Sequence, residues 1–459
     1  MDRKFKDITH EKLELLLEYL DNDNAIGISE LLEEMYSVDI AGLLLELKDI
    51  QQEKLFRYIP PEIASEVLED VDSDTFNSLI RLYNNDQQSK ILDNMADDDM
   101  ADLLGELSKN KRDEIINLLN IESAEDIKEL LVYEEDTAGG IMTKDFIALS
   151  KDYSIYHAIE ILREYAPDAE TIYYVFVVDK KGRLVGVISL RDLIVAKPNK
   201  KVEEIMNEKV IYVNVYDDQE EVAKVVSKYD ILAVPVVDDE MEMIGLITID
   251  DIIDVLEEEA TEDILMFAGS NKGESYEEDT IGERITNSVK ARLPWLIITI
   301  FGGLLSAQII KNYQYVLDIN TTVALFMPIL AGMGGNVGTQ SSTLTVRSIA
   351  IGQIKGNEVF KTIFHEVSVG FIVGLVCSLL TAVAVVFLNG DIILALIVGL
   401  AMWFNIITAA TIGTLVPLVF RKIGIDPAVA SAPFITTTVD ITGMTIYYSM
   451  ATLMIINLT

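Results

Sequence analysis

Residues 426–443 read DPAVASAPFITTTVDITG, a run that is apolar or hydroxyl-bearing except for the carboxylates Asp426 and Asp440. It opens the last of five long apolar segments, near residues 293–310, 323–346, 364–388, 392–420 and 428–456. Each approaches the ~20 residues a helix needs to cross a bilayer core. The C-terminal third is therefore expected to form an α-helical transmembrane domain of five helices.

A carboxylate at membrane depth is costly and by default marks an ion path. The alternative, a buried ion pair, needs a Lys or Arg at the depth of Asp440, and Arg347, Lys361 and Arg421 all fall near segment ends. A cation from solution is the better partner. Asp426 precedes Pro427, the pattern of an acidic N-cap followed by proline at the first helical position, and that cap alone accounts for it. If one helix carries both carboxylates, their fourteen-residue spacing returns to within about 40° of the same face, ~21 Å along the axis. Pro433 lies between them as a kink point.

Other segments are poor lipid-facing helices. The second contains Gly332, Gly334, Gly335, Asn336, Gly338, Thr339 and Gln340, and polar groups at this depth belong against protein or a water-filled cavity. Gly370-x-x-x-Gly374 suits a close helix–helix approach. The oxygens on offer favour Mg²⁺ or Ca²⁺ over softer metals, and Mg²⁺ slightly over Ca²⁺, because it keeps its water shell and needs few direct ligands. His365 and Glu366 read as a solvated pair at the start of the third segment, and the single cysteine, Cys377, as a small apolar filler.

Charge divides the chain as sharply as hydropathy does. The formal net charge is −39, yet from Glu283 onward nine Lys/Arg face seven Asp/Glu, a net of +2 that leaves −41 for the residues before it. Such a surface repels nucleic acid and attracts cations, divalent ones first. Placing the N-terminus inside puts Arg284, Lys290, Arg292, Arg347, Lys355, Lys361, Arg421 and Lys422 on the cytoplasmic side against Lys311 outside, the bias of a chain with its N-terminus in the cytoplasm and its C-terminus outside. The charged, amphipathic N-terminus carries no signal-peptide pattern.

Within the soluble part, residues 8–130 show apolar residues at helical spacing broken at Pro60-Pro61 and Asn84-Asn85-Asp86, the pattern of repeated helical hairpins. A clearer repeat follows. Val175-Phe-Val-Val-Asp179 with Gly186-Val-Ile-Ser189-Leu-Arg191-Asp192 recurs as Val234-Pro-Val-Val-Asp238 with Gly245-Leu-Ile-Thr248-Ile-Asp250-Asp251, and Ile141-Met142 and Ile205-Met206 open the two copies. Each copy reads as strand, helix, β-hairpin and closing helix. This resembles a tandem pair of CBS domains, which implies clefts for adenine nucleotides such as ATP, at Tyr174, Ser189, Arg191 and Asp192. Capping of the closing helix explains Ser189 and Asp192, like Thr248 and Asp251, equally well.

The order of acidic helical domain (1–136), α/β CBS pair (137–262), connecting helix (263–290) and transmembrane pore domain (291–459) resembles the MgtE family of Mg²⁺ channels and transporters. The resemblance is carried by Glu258-Glu-Ala-Thr-Glu-Asp263, Gly334-Gly-Asn-Val-Gly-Thr-Gln340, Asp426-Pro-Ala-Val-Ala-Ser-Ala-Pro433 and Val439-Asp-Ile-Thr-Gly443. It implies a homodimer in the cell membrane, in contact with lipid, whose central pore holds hydrated Mg²⁺ at Asp440, with Asn336, Ala428 and Thr437 beside it. It further implies that internal Mg²⁺ closes the pore through Asp98, Asp102, Glu220, Asp230, Asp251, Asp254, Glu259, Glu262, Asp263 and Asp426. A solvated acidic helix face accounts for the i, i+4 pair Asp98 and Asp102 almost as well.

Two other classes fit less well. A CBS-regulated anion carrier should present cations at membrane depth, and a mere membrane anchor would not need glycine-rich polar helices. An enzyme is not expected, since the chain has neither a GxxxxGK[ST] phosphate loop nor HExxH, and only three histidines.

Overall fold

The computed structural model describes residues 2–165, 171–270, 281–354 and 358–458. Lys355 and the middle of the segment 263–290 lie outside the described residues. The chain divides into two compact units, Met1–Glu257 and Glu258–Thr459.

The first unit begins with ten helices: α1 (Asp2–Asp21), α2 (Ala25–Glu33), α3 (Ser37–Glu46), α4 (Asp49–Phe56), α5 (Pro61–Glu69), α6 (Ser73–Ile80), α7 (Asn85–Leu92), α8 (Asp97–Glu106), α9 (Lys109–Ile116) and α10 (Ile121–Leu130). The apolar spacing is realised as burial, with Ile40, Ala41, Leu43 and Leu44 of α3, and Met100, Ala101, Leu103 and Leu104 of α8, all in the core. Pro61 starts α5, and the Asn84 side chain accepts from the Gln87 amide at 3.0 Å to cap α7. The hairpin repeat has a polar counterpart. Buried Gln52 of α4 donates to the Leu44 carbonyl at 2.9 Å, and buried Gln88 of α7 donates to the Ile80 carbonyl at 3.0 Å. In both cases an amide on the second helix adds a side-chain donor to a carbonyl in the last turn of the helix before it, which also accepts from a backbone amide.

The CBS copies follow the expected order. The first has β1 (Ala148–Ser150), α11 (Ile155–Tyr165), β2 (Tyr174–Val178), β3 (Leu184–Ser189) and α12 (Leu190–Val195). The second has β4 (Val213–Asn214), α13 (Gln219–Tyr229), β5 (Ala233–Val237), β6 (Met243–Thr248) and α14 (Ile249–Ala268). In each sheet a parallel pair (β1 with β2, β4 with β5) is extended by an antiparallel hairpin. The copies exchange their opening methionines. Met142 of the first packs where a Cβ on Gly245 would stand, and Met206 of the second packs on Gly186. Phe176 and Leu184 of one sheet share a core with Ala233, Val237, Met243 and Leu246 of the other. The boundary expected after residue 262 falls inside α14, because 249–268 keeps an unbroken helical pattern. The helix stops at Gly269, whose φ of +82° is the left-handed C-terminal position. There the Gly269 amide donates to the Met266 carbonyl at 3.0 Å and the Ser270 amide to the Leu265 carbonyl at 2.8 Å.

The second unit is helical: α15 (Ile281–Asn312), α16 (Gln314–Ile319), a 3₁₀ turn (Thr321–Phe326), α17 (Met327–Ala350), α18 (Glu358–Asn389), α19 (Ile392–Lys422), a 3₁₀ turn (Pro427–Val429) and α20 (Ala432–Leu458). Among the described residues four helices are long and apolar enough to cross a membrane, over Ile285–Asn312, Thr321–Ala350, Glu358–Asn389 and Ile392–Lys422. The 27-residue α20 has the length, but Thr436, Thr437, Thr438, Asp440 and Thr442 dilute its hydropathy. Helix α19 is the centre, packed on α17, α18 and α20, whereas α15 and α18 present exposed apolar faces. Gly370 and Gly374 serve the approach of α18 to α19. A Cβ on either would lie 2.9 Å from Ala410 or Trp403 respectively.

Candidate functional site

Asp440 sits on α20 opposite the glycine-rich face of α17. A Cβ on Gly335 would lie 2.9 Å from the Thr436 side chain, and one on Gly338 would lie 3.0 Å from those of Ile435 and Val439, so glycine at these positions gives the side chains of α20 room to pack tightly on α17. Asp440 is half-buried. Its Oδ1 is enclosed with no hydrogen-bond donor, and among the described residues it has no cationic partner. The neighbouring hydroxyls do not serve it. Thr437 donates to the Pro433 carbonyl at 2.7 Å, Thr438 to the Phe434 carbonyl at 2.9 Å, and Thr442 to the Val439 carbonyl at 3.0 Å, leaving only oxygen lone pairs to face outward. Asn336 of α17 is exposed in the single chain, and Ala428 is fully buried.

The structure overturns the single-helix placement of Asp426 and Asp440. Asp426 caps a separate 3₁₀ turn, accepting from the Ala428 amide at 2.8 Å, and the chain breaks at Ser431 before α20 begins at Ala432. The two carboxylates therefore share no helix face. Pro433 lies in the first turn of α20, where its missing N–H costs nothing, and not at a mid-helix kink. The solvated reading of Glu366 also fails. Only 7% exposed, it accepts from Ser341 Oγ of α17 at 2.9 Å and lies 3.2 Å from His365 Nδ1.

The expected regulatory carboxylates are spread over several elements. Asp98 is buried and Asp102 exposed on α8. Glu220 pairs with Lys224 at 2.8 Å on α13, and Asp230 ends that helix in the left-handed region. Asp251 accepts from the Thr248 hydroxyl at 2.6 Å and its amide at 3.0 Å. Burial nonetheless lifts the Asp251 carboxyl above its ordinary range, with Asp250 and Asp254 adding repulsion. The carboxyl of Asp70, which caps the C-terminal end of α5, is raised by burial and then by Asp254. Glu259, Glu262 and Asp263 lie together on α14. Among the described residues no three carboxylate, histidine or cysteine side chains converge as a metal site. Beside Asp98, the Asp97 carboxyl is pushed up to about 7 by burial and by Asp145 and Asp126, against the pull of Lys144. That ammonium lies 3.0 Å from Asp126 and 2.5 Å from Glu129.

In the first CBS copy, Tyr173, Tyr174, Ser189, Arg191, Ile194 and Val195 line a cleft of about 620 Å³. Ser189 Oγ accepts from the Asp192 amide at 3.1 Å and donates to its carboxylate at 2.6 Å, so the cap is real. Arg191 is exposed at the cleft.

Comparison with known proteins matches three stretches of the chain to families. Residues 35–136 match the MgtE intracellular N domain, 138–199 and 202–258 match CBS domains, and 327–450 match a divalent cation transporter domain. The chain is 36% identical over 449 residues to the magnesium transporter MgtE of Thermus thermophilus, covering 97% of this chain and 99% of that protein. It is 31% identical to the magnesium transporter MgtE of Bacillus subtilis, covering 97% and 98%. The chain belongs to the MgtE family of magnesium transporters. Among solved structures, the cytosolic domain of the Mg²⁺ channel MgtE in complex with ATP is similar, with a TM-score of 0.50 and 38% identity over 53% of this chain and 99% of that one.

Membership of the MgtE family makes the chain a membrane transporter of Mg²⁺ rather than an enzyme or an anion carrier. Two buried polar groups in its MgtE transporter domain, Glu366 and Asn405, were not legible as site residues. The available signal was one carboxylate and one amide in otherwise apolar runs, and nothing local says which face of a helix will be covered.

Proposed function

We propose that two copies of this chain form a Mg²⁺-selective channel of the cell membrane, with five crossings per subunit, the N-terminus cytoplasmic and the C-terminus outside. Asp440 of each copy is the mid-membrane cation site, and Asn336, Thr437 and Ala428 shape its surroundings. The observation that carries this is the enclosed, donorless oxygen of Asp440 on a helix pressed against the glycine face of α17. A carboxylate left so in a membrane domain is stabilised by a cation that arrives from solution. The exposed apolar faces of α15 and α18 are surfaces for lipid and for the second subunit.

Internal Mg²⁺ closes the channel by bridging carboxylates that otherwise repel, drawn from Asp98, Asp102, Glu220, Asp230, Asp251, Asp254, Glu259, Glu262, Asp263 and Asp426. Among the described residues no three of these carboxylates converge, and the bridges of this proposal join separate elements or the two subunits. The cleft at Tyr174, Ser189, Arg191 and Asp192 takes an adenine nucleotide, a reading supported by the exposed Arg191 guanidinium that lines it and by the ATP-bound relative. The decisive test is Asp440→Asn in proteoliposomes. It keeps the shape and removes the charge, so Mg²⁺ flux should fall by at least about tenfold. Unchanged flux and selectivity would falsify the pore assignment.

A further inference from the structure

Asn405 lies near the middle of α19 and is 1% exposed. Its Nδ2 donates to the Leu330 carbonyl of α17 at 2.8 Å. A Cβ on Gly334 of α17 would stand 2.6 Å from that Nδ2, and a Cβ on Gly443 of α20 would stand 2.5 Å from Oδ1. The amide thus fills a junction of three helices that exists only because two of them carry glycine there. Its Oδ1 is buried with no hydrogen-bond partner among the described residues. If the junction needed packing alone, an aliphatic side chain of the same size would fill it without stranding an acceptor. Gly443 is one turn past Asp440 on α20, and Gly334 is two residues before Asn336 on α17. The amide touches both helices at the level of the proposed ion site.

We propose that Asn405 is a positioning residue for ion selectivity: its amide sets the separation of α17 and α20, pinning α17 through Nδ2 and spacing α20 through the close contact of Oδ1 with Gly443. This rests on the reading of Asp440 as the pore site. Mg²⁺ gives up its water shell reluctantly, whereas Ca²⁺ accepts more direct oxygens at longer distances. A small change in helix separation therefore changes the preference between the two ions more than it changes conduction as such.

The test uses the full-length protein in proteoliposomes, with Asn405→Leu, of similar size and no polar atoms, and Asn405→Ala, which leaves room for water. The Mg²⁺-over-Ca²⁺ permeability ratio is read from reversal potentials, and folding from size-exclusion chromatography and thermal unfolding. The expected result for a folded variant is a ratio lowered roughly fivefold or more, the effect of one lost polar contact, with Mg²⁺ still conducted. Equal change in both ions' flux, no change in either, or failure of both variants to fold would make Asn405 a purely structural residue and overturn the inference. Asp440→Asn is measured alongside. Unaltered flux in that variant overturns the pore reading itself, while a flux lost there with an unaltered ratio at Asn405 overturns only this inference.

Discussion

Ser189 and Arg191 are separated by one residue and do different work. The Ser189 hydroxyl is engaged on both sides by Asp192, so its removal should cost about 1 kcal/mol of stability, the usual worth of an N-cap. Arg191 has no such local duty, and an exposed guanidinium at a cleft mouth suits a phosphate. Arg191→Ala should weaken ATP binding by roughly 10- to 150-fold, the loss of one charge-assisted contact, with thermal stability unchanged. Titration calorimetry checks the first and differential scanning fluorimetry the second. Equal ATP affinity in the variant and the parent would remove this cleft as a nucleotide site.

At the scale of elements, the end of α14 meets the start of α20. Gly269, at φ +82°, packs so that a Cβ there would lie 2.8 Å from Pro433 Cγ and 3.6 Å from Trp295. The helix that carries Glu259, Glu262 and Asp263 thus ends on the first turn of the helix that carries Asp440. Gly269→Ala should cost about 1–2 kcal/mol from left-handed strain alone, and its methyl group must also push α20 away. Gly352 is a control, since it has φ +67° and nothing within 4 Å of its Cβ position. Gly269→Ala should therefore shift the Mg²⁺ concentration that closes the channel, whereas Gly352→Ala should lower stability only. Flux at graded internal Mg²⁺ distinguishes them, and identical behaviour of the two variants would count against this contact as the coupling point.

For the whole molecule the governing quantity is charge. The residues before Glu283 carry −41, and a compact state so charged is opposed by its own repulsion unless cations neutralise it. Binding biases the gate only where the ion fits the closed arrangement better, and ~1–3 kcal/mol of coupling shifts populations about 5- to 150-fold. Replacing Glu259, Glu262 and Asp263 together by Ala should leave the channel open at internal Mg²⁺ levels that close the parent. Chelating Mg²⁺ should expose the linker of the parent to protease, with little further effect in the triple variant. Patch recordings in which both proteins close at the same concentration would exclude this stretch as the sensor.

Much of this was legible because it is local. Hydropathy marks the four helices long and apolar enough to cross a membrane, the Val/Ile alternation with turn residues marks both CBS hairpins, and an isolated Asp440 in an apolar run announces its own cost. Gly269, by contrast, stops α14 through its own backbone freedom inside the stretch 263–290 that the sequence suggests as one connecting helix. What sequence could not decide depends on partners remote along the chain. Asp426 and Asp440 are separated by a break at Ser431, itself fully buried; Asp426-Pro427 and Ser431 with Pro433 are both ordinary helix starts, and only packing decides which one opens α20. Glu366 is covered because Ser341 of another helix reaches it, and Asn405 is a junction because Gly334 and Gly443, on two other helices, leave room for its amide. Periodicity and composition report a residue's preference for water or apolar surroundings; which helix supplies those surroundings, and how closely, is set only when the helices pack.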